Sequence, residues 1–230
     1  MITRKELANM FDHSLLQAYN TKAEFMQLCK EADENGFKMV AINSAPVKLC
    51  AELLKDTPVH VGAAIGFPLG QSTIAVKIYE TQQAIKDGAD EIDYVINLAE
   101  LKSGNWDYVK DEMSQLVALC RENQVIIKVI FENCYLEKFE IIKLCEIALE
   151  VKPDFIKTST GFGHSGATVE DVALMSSIVK GAIGVKAAGQ IRDWPTCKAM
   201  IAAGATRIGT SSSFKILAGY DLEYKTEDAK

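Results

Sequence analysis

The stretch of this 230-residue chain that decides the fold is Asp87-Gly88-Ala89-Asp90-Glu91-Ile92-Asp93-Tyr94-Val95-Ile96. A helical pattern ends at its glycine, and a short β-branched run follows. The same joint recurs at Ala203-Gly204-Ala205-Thr206-Arg207-Ile208 and, more loosely, at Asn35-Gly36-Phe37-Lys38-Met39. The glycine serves as a helix C-cap at each joint, so the repeats indicate a βα unit that the chain uses several times.

Short β-branched runs alternate with amphipathic stretches along the whole chain, which predicts strands followed by helices. The candidate strands are residues 11–15, 39–43, 59–66, 91–97, 125–132, 154–159, 184–189 and 207–211. Strict alternation with short connections predicts parallel strands joined by right-handed crossovers. Eight such units in 230 residues are the size of a single α/β (β/α)8 TIM barrel. An open doubly wound sheet is the alternative, and the repeated joints favour the barrel.

The chain shows no internal boundary between domains. No proline- or glycine-rich linker divides it, and only its last residues turn polar. We therefore expect one barrel domain over residues 1–218 and a polar C-terminal tail over residues 219–230 that frays.

Composition and charge indicate a soluble globular protein that acts on a small molecule. The chain is 48% apolar and 24% charged, which suits a domain with a full core. Its net charge of −6, without a Lys/Arg cluster, argues against nucleic acid or an anionic membrane as the main partner. No run reaches the roughly 18 apolar residues of a membrane helix, and the start has no apolar signal core. A cytoplasmic location is expected.

Cysteine and histidine spacing gives no sign of a metal site. The six cysteines are scattered without a C-x-x-C pair, so we expect reduced thiols that mostly pack. The three histidines, His13, His60 and His164, lie far apart and lack metal-ligand spacing. We therefore expect no metal and no cofactor.

Four charged residues lie in the middle of apolar strand runs: Asp93, Lys128, Lys157 and Lys186, on the fourth to seventh strands. Burying a charge among Val and Ile is costly unless it is paired, so such positions need a reason. In a barrel, alternate side chains face the lumen, and all four side chains could face inward together. For each lysine the alternatives are a side chain that snorkels at the rim and an ion pair with Asp93.

Lys157 and Lys186 lie on neighbouring strands, which run about 4.8 Å apart. Two ammonium groups so close in a partly dry lumen disfavour the protonated form and lower the pKa of at least one amine. A neutral lysine is a nucleophile that adds to a carbonyl to give a Schiff base. Three lysines on consecutive strands favour this catalytic interpretation over the alternatives. For Lys128 the ion-pair interpretation stays equally open.

Glycine and serine follow the last two strands, as Ala188-Gly189-Gln190 and Ile208-Gly209-Thr210-Ser211-Ser212-Ser213. Backbone N–H groups, serine hydroxyls and a helix N-terminus can together bind an anion, and barrels often hold phosphate after strands seven and eight. The alternative is two ordinary turns with serine N-caps. Position in the barrel favours phosphate.

A G-x-G-x-x-G pattern at Gly161-Phe162-Gly163-His164-Ser165-Gly166 follows the sixth strand and could be a dinucleotide fingerprint. The next strand ends in Gly189-Gln190, however, with no acid at its tip to hold a ribose. We therefore interpret the glycines of this pattern as giving the loop after the sixth strand room beside a ligand. The overlapping segment Gly163-His164-Ser165-Gly166-Ala167 partly matches the nucleophile-elbow pattern, but the second glycine of that pattern is missing.

Several segments resemble the deoxyribose-phosphate aldolase family of class I aldolases, with a likeness that runs from about residue 11 to residue 218. The matching segments are Asp12-His13-Ser14-Leu15, Gly66-Phe67-Pro68-Leu69-Gly70, Gly88-Ala89-Asp90-Glu91-Ile92-Asp93-Tyr94-Val95-Ile96-Asn97, Lys128-Val129-Ile130-Phe131-Glu132, Phe155-Ile156-Lys157-Thr158-Ser159-Thr160-Gly161-Phe162-Gly163, Gly184-Val185-Lys186-Ala187-Ala188-Gly189 and Arg207-Ile208-Gly209-Thr210-Ser211-Ser212.

The resemblance implies reversible cleavage of 2-deoxy-D-ribose 5-phosphate into acetaldehyde and D-glyceraldehyde 3-phosphate. It also ranks the lysines, which spacing could not. Lys157 matches the Schiff-base lysine, and Lys186 matches the neighbour that keeps this amine unprotonated and helps in proton relay. Asp93 matches the carboxylate that, with water, handles protons. The phosphate donors carry over onto Gly161, Gly189, Gly209, Ser211 and Ser212.

Two positions depart from common versions of the family pattern. Gln190 stands where a second glycine is frequent, and Ser14 replaces a frequent threonine near the substrate hydroxyls. Family members are often homodimers, so a homodimer is expected here. Three other functions stay open: a nicotinamide oxidoreductase, a transaldolase-like Schiff-base enzyme with ketose donors, and a barrel that binds phosphate without catalysis.

Overall fold

Eight parallel strands, paired in sequence order and closed on themselves, form the centre of the computed structural model, which describes residues 2–225. The strands are β1 (Phe11–Ser14), β2 (Met39–Asn43), β3 (His60–Ile65), β4 (Glu91–Val95), β5 (Ile126–Ile130), β6 (Phe155–Lys157), β7 (Gly184–Ala188) and β8 (Arg207–Thr210). β8 closes on β1 by pairing Gly209 with Asp12. The predicted barrel and its eight strands are confirmed, and the open sheet is wrong.

Helices surround the barrel. They are α1 (Arg4–Ala8), α2 (Lys22–Asn35), α3 (Val47–Leu54), α4 (Ile74–Lys86), α5 (Leu98–Lys102), α6 (Trp106–Glu122), α7 (Lys138–Val151), α8 (Val169–Val179), α9 (Trp194–Ala202) and α10 (Ser213–Lys225). Two short helices add to the predicted alternation, because α1 precedes β1 and α5 precedes α6. None of the helices within residues 2–225 combines the length and the apolar composition that crossing a membrane would need.

The repeated joints have the glycine geometry that the sequence predicts. Gly36 caps α2 with φ of 65°, and Gly88 follows the cap of α4 with φ of 102°. The N–H of Ala89 donates to the carbonyl of Ala84, which closes the end of α4. The left-handed turn brings the chain directly into β4, and this fixes the register of Asp93.

Strand side chains alternate between two environments. Ile92 and Tyr94 belong to the apolar core between strands and helices, together with Ile127 and Val129 on β5. The residues between them in sequence face the lumen. Branched apolar side chains usually fill such a lumen, but several positions in this barrel are ionisable.

The C-terminal segment differs from the prediction. Helix α10 continues to Lys225, so the boundary predicted at residue 218 falls inside a helix. The ring of Tyr220 packs edge-on against Trp194, with centroids 5.1 Å apart, and its hydroxyl donates to the carbonyl of Ile2. Residues 219–225 therefore continue α10 instead of fraying, and Tyr220 contacts both Trp194 and Ile2. Residues 226–230 of the predicted tail lie outside the described residues.

Candidate active site

Asp93 lies at the centre of a cluster of charged side chains in the lumen. Its Oδ2 accepts hydrogen bonds from Lys157 Nζ at 2.8 Å and from Lys186 Nζ at 2.6 Å. Its Oδ1 accepts one from Lys128 Nζ at 2.7 Å. The register explains the meeting, since Asp93 pairs with Lys128, and Lys157 pairs with Lys186, across neighbouring strands. The structure thus brings together the four side chains that the sequence singled out, and both lysines of the predicted pair point inward.

The pKa of Lys157 is lowered from the usual 10.5 to about 8. Burial is the largest cause, and the ammonium groups of Lys186 and Lys128 act in the same direction against the pull of Asp93. The like-charge effect predicted from the sequence is therefore present but second to burial. At pH 7 a pKa of about 8 leaves about one amine in ten neutral, against roughly one in 3,000 for an ordinary lysine.

Asp93 and Lys128 remain charged. Burial by itself would raise the pKa of Asp93, but the three ammonium groups around it together hold this pKa well below its usual range. Burial would likewise lower the pKa of Lys128, and the carboxylates of Asp93 and Glu91 outweigh it and raise the pKa. Lys128 is fully buried in this position. The ion-pair interpretation of Lys128, which the sequence left open, fits its surroundings.

A cavity of about 240 Å³ opens above the two lysines at the carboxyl ends of the strands. Lys157 and Lys186 line it, and so do four of the five predicted phosphate donors: Gly161, Gly189, Gly209 and Ser211. Asp93 lies beneath the lysines and is 3% exposed. Ser212 is not among the lining residues of this cavity, and its N–H donates to Thr210 Oγ1 at 2.9 Å.

Close backbone packing forms the wall of this cavity. A Cβ on Gly166 would lie 2.1 Å from the carbonyl oxygen of Gly189, so only glycine lets these two loops meet. A Cβ on Gly209 would lie 3.1 Å from Lys186 Cε. Helix α10 begins at Ser213, after the end of β8 at Thr210 and a short connection through Ser211 and Ser212, which brings the positive end of its dipole to this side of the barrel.

Sequence reasoning missed several lining residues, including Thr160, Phe162 and Arg192. Arg192 is exposed and follows β7. Its place beside the glycine turn is the feature of the sequence that could have identified it as a site residue. Ser14 and Gln190, the two departures from the family pattern, also line the cavity. Gln190 adopts φ of 61°, the left-handed conformation that glycine usually provides.

Glu132 supports the loop that follows β6. Its carboxylate accepts hydrogen bonds from the N–H and the hydroxyl of Thr160, and its own backbone has φ of 56°. A left-handed glutamate is unfavourable and persists only where its surroundings hold it. This role of Glu132 could not be predicted from the sequence, because the contact joins positions 28 residues apart.

The histidines lie in separate places. His13 hydrogen-bonds Ser213, His60 hydrogen-bonds Glu91, and His164 hydrogen-bonds the carbonyl of Cys134. Within residues 2–225, no three His, Cys, Asp or Glu side chains gather into a group that could hold a metal ion.

Similar proteins share both sequence and fold with this chain. Residues 6–217 match the DeoC/LacD family of aldolases. Deoxyribose-phosphate aldolase of Lactobacillus acidophilus is 58% identical over 214 residues, which are 93% of this chain and 90% of that relative. The same enzyme of Bacteroides thetaiotaomicron is 52% identical over 216 residues, which are 94% of this chain and 91% of that relative. The tetrameric deoxyribose phosphate aldolase of Aeropyrum pernix superposes with a TM-score of 0.89 at 31% identity, over 95% of this chain and 92% of that one.

Proposed function

This chain belongs to the DeoC/LacD family of aldolases, and from that premise we propose that Lys157 is the amine through which it acts. The enzyme is a carbon–carbon lyase that reversibly cleaves 2-deoxy-D-ribose 5-phosphate into acetaldehyde and D-glyceraldehyde 3-phosphate. The observation that carries the proposal is a buried lysine at the floor of the cavity, whose pKa is lowered to about 8. Such an amine is neutral often enough at pH 7 to attack an aldehyde.

The reaction begins when Lys157 Nζ attacks C1 of the open-chain sugar. The carbinolamine loses water to give an iminium ion, which withdraws electrons from C2. The C3 hydroxyl then loses its proton and C3 becomes an aldehyde carbon as the C2–C3 bond breaks. The electron pair of that bond forms the double bond of the enamine. D-Glyceraldehyde 3-phosphate leaves first. Protonation of the enamine carbon and hydrolysis of the imine release acetaldehyde and restore the amine.

Lys186 and Asp93 handle the protons of this cycle. Lys186 lines the cavity, so its ammonium group can approach the reacting atoms and also disfavours a second positive charge on Lys157. Asp93 Oδ2 touches both amines and links them through one shared acceptor. With water, Asp93 acts as the acid–base carboxylate during carbinolamine formation.

The phosphate group is held at the other end of the cavity. Gly161, Gly189, Gly209 and Ser211 line the cavity, and α10 begins at Ser213, just after Ser211. Arg192 adds a cation beside the same turns. Ser212 contributes through the turn it completes with Thr210. Binding of the phosphate at this place orients C1 of the sugar toward Lys157.

Borohydride reduction in the presence of acetaldehyde tests the assignment. A Schiff-base enzyme gains a permanent label, and we expect peptide mapping to find it on Lys157. Lys157→Ala is the matched control: we expect it to lose both the label and turnover. A label on another lysine, or ordinary activity in Lys157→Ala, would overturn the assignment. A ketose donor that replaces acetaldehyde would instead indicate transaldolase-like chemistry.

A homodimer is part of the same proposal. Val76 and Tyr79 lie one turn apart on α4 and are 53% and 70% exposed, which suits a surface that another copy covers. The relative from Aeropyrum pernix is described as tetrameric, so assembly of this fold has a precedent. Light scattering after size-exclusion chromatography measures the mass directly, and a monomer of about 25 kDa would refute the dimer.

A cytoplasmic location completes the proposal. All six cysteines are free thiols, and five of them are buried. Unpaired cysteines are typical of reducing compartments. Fractionation of the source cells would test this, and recovery of the protein outside the cytoplasm would contradict it.

A further inference from the structure

The charged side chains of the lumen form a closed ring. Three carboxylates and three cations alternate around it: Asp93, Lys186, Asp12, Arg207, Glu91 and Lys128, which returns to Asp93. Arg207 donates to Asp12 at 2.9 Å and to both oxygens of Glu91 at 2.9 Å. The six side chains come from β1, β4, β5, β7 and β8. Each is at most 4% exposed.

Every cation in this ring lies between two carboxylates. Lys186 contacts Asp93 and Asp12, and Lys128 contacts Asp93 and Glu91. Lys157 differs, because its ion pairs within the described residues are limited to Asp93, whose same oxygen Lys186 also occupies. With all six members charged the ring is neutral, so a proton on Lys157 adds an uncompensated charge to the lumen.

The cost of losing a proton is therefore unequal among the three lysines. Deprotonating Lys186 or Lys128 would leave two buried carboxylates without a cation between them, which is strongly unfavourable. Deprotonating Lys157 leaves the ring intact and the lumen neutral. Geometry alone thus separates the nucleophile from its two neighbours.

We propose that Arg207 and Glu91, which do not line the cavity, are positioning residues whose charges select Lys157 as the neutral amine. They act through the ring and touch no substrate. The inference rests on the proposed role of Lys157 and adds that this role depends on the charge balance one layer below the site. Removing the cation makes the lumen more negative and favours a proton on Lys157, whereas removing the anion has the opposite effect.

Other charged groups face this cluster and must be controlled. His60 on β3 contacts Glu91 at 2.6 Å, and Lys38 in turn contacts His60 at 3.0 Å. Lys128 also lies 3.9 Å from Asp12 across the ring. Glu132, after β5, interacts electrostatically with Lys157. A His60→Asn background removes the histidine that contacts the ring at Glu91.

The test is the pH dependence of acetaldehyde trapping by cyanoborohydride, with peptide mapping of the label in every variant. Acetaldehyde carries no ionisable phosphate, so the midpoint of the acid limb reports the enzyme. We expect Arg207→Met to move this midpoint up by about one pH unit and Glu91→Gln to move it down by about one unit. In the double variant Glu91→Gln/Arg207→Met the charges of the ring cancel again. The midpoint of its acid limb should therefore return toward that of the unmodified protein. Arg207→Lys keeps the charge and should keep the midpoint, even if the lost two-pronged contact slows the reaction.

A purely structural role would lower trapping at every pH and leave the midpoint in place. The inference is overturned if the two single variants shift the midpoint in the same direction or not at all while the label stays on Lys157. A label on a different residue would instead refute the proposed function. Circular dichroism shows which variants fold. If one single variant does not fold, the direction of the shift in the other decides: upward for Arg207→Met, downward for Glu91→Gln, and a shift in the opposite direction or no shift overturns the inference.

Discussion

Lys186→Leu removes the ammonium group that shares Asp93 Oδ2 with Lys157, and we expect it to slow Schiff-base formation at neutral pH. The pKa of Lys157 is lowered from 10.5 to about 8, which provides about 300-fold more neutral amine at pH 7. That factor is the ceiling for any loss through pKa. Burial is the largest cause and persists in the variant, so we expect the pKa to rise by about one unit and the rate at pH 7 to fall about tenfold.

The sign of the effect makes the prediction sharp. A lysine reacts as the neutral amine, so a higher pKa moves the acid limb of the rate profile to higher pH, and the variant should regain activity in alkaline buffer. The assay is trapping of acetaldehyde by cyanoborohydride from about pH 6 to about pH 10. Lys186→Arg is the matched control, because it keeps a positive charge beside Asp93 and should leave the midpoint near that of the parent.

An equal loss at every pH would refute this reasoning. It would mean that Lys186 acts through proton relay alone and that burial sets the pKa of Lys157 without help. A loss beyond about 300-fold at pH 7 would also exceed what the pKa can supply and would require a second role.

Two further predictions concern binding and stability. Ser211→Ala removes a hydroxyl at the proposed phosphate end, and we expect KM for 2-deoxy-D-ribose 5-phosphate to rise about tenfold, as for loss of a hydrogen bond to a charged group. Steady-state kinetics with unphosphorylated 2-deoxy-D-ribose are the control, and an equal rise with both sugars would contradict the assignment. Lys77→Met should destabilise the fold by about 3–5 kcal/mol, because Lys77 and Glu112 form a fully buried pair 2.6 Å apart and the carboxylate would keep only the hydrogen bond from the Asn97 N–H and lose its cation. Urea unfolding measures the change. The double variant Lys77→Met/Glu112→Leu should be more stable than the single one, and a larger loss in the double variant would show that the pair is not the cause.

The barrel could be predicted because its evidence is local and repeated. Glycine joints such as Asp87-Gly88-Ala89 end a helix and start a strand within a few residues, and the structure keeps that geometry at Gly36, Gly88 and Gly204. Ionisable residues inside apolar runs were informative for a different reason: burying a charge is costly, so its presence in a buried strand indicates a function.

The end of the domain could not be predicted from polarity. Residues 219–225 read as a polar tail, yet the spacing of Tyr220 and Tyr224 puts both rings on one face of α10, beside Trp194. The i, i+4 spacing was visible in the sequence, but the partner lies on α9 and becomes a neighbour only once the barrel closes.

Only part of the ring beneath the site could be predicted from the sequence. Glu91 precedes Asp93 by two residues, so strand alternation alone puts both carboxylates on the lumen side of β4. The contact between Asp12 and Arg207 could not be predicted, because they lie on the first and last strands and meet only through the closure of β8 on β1. Until that register is known, the lumen has an unknown charge balance, and three lysines with one aspartate cannot be ranked by electrostatics. The geometry that distinguishes Lys157 is thus a property of barrel closure: it lies beside a neutral ring that only a closed sheet can complete.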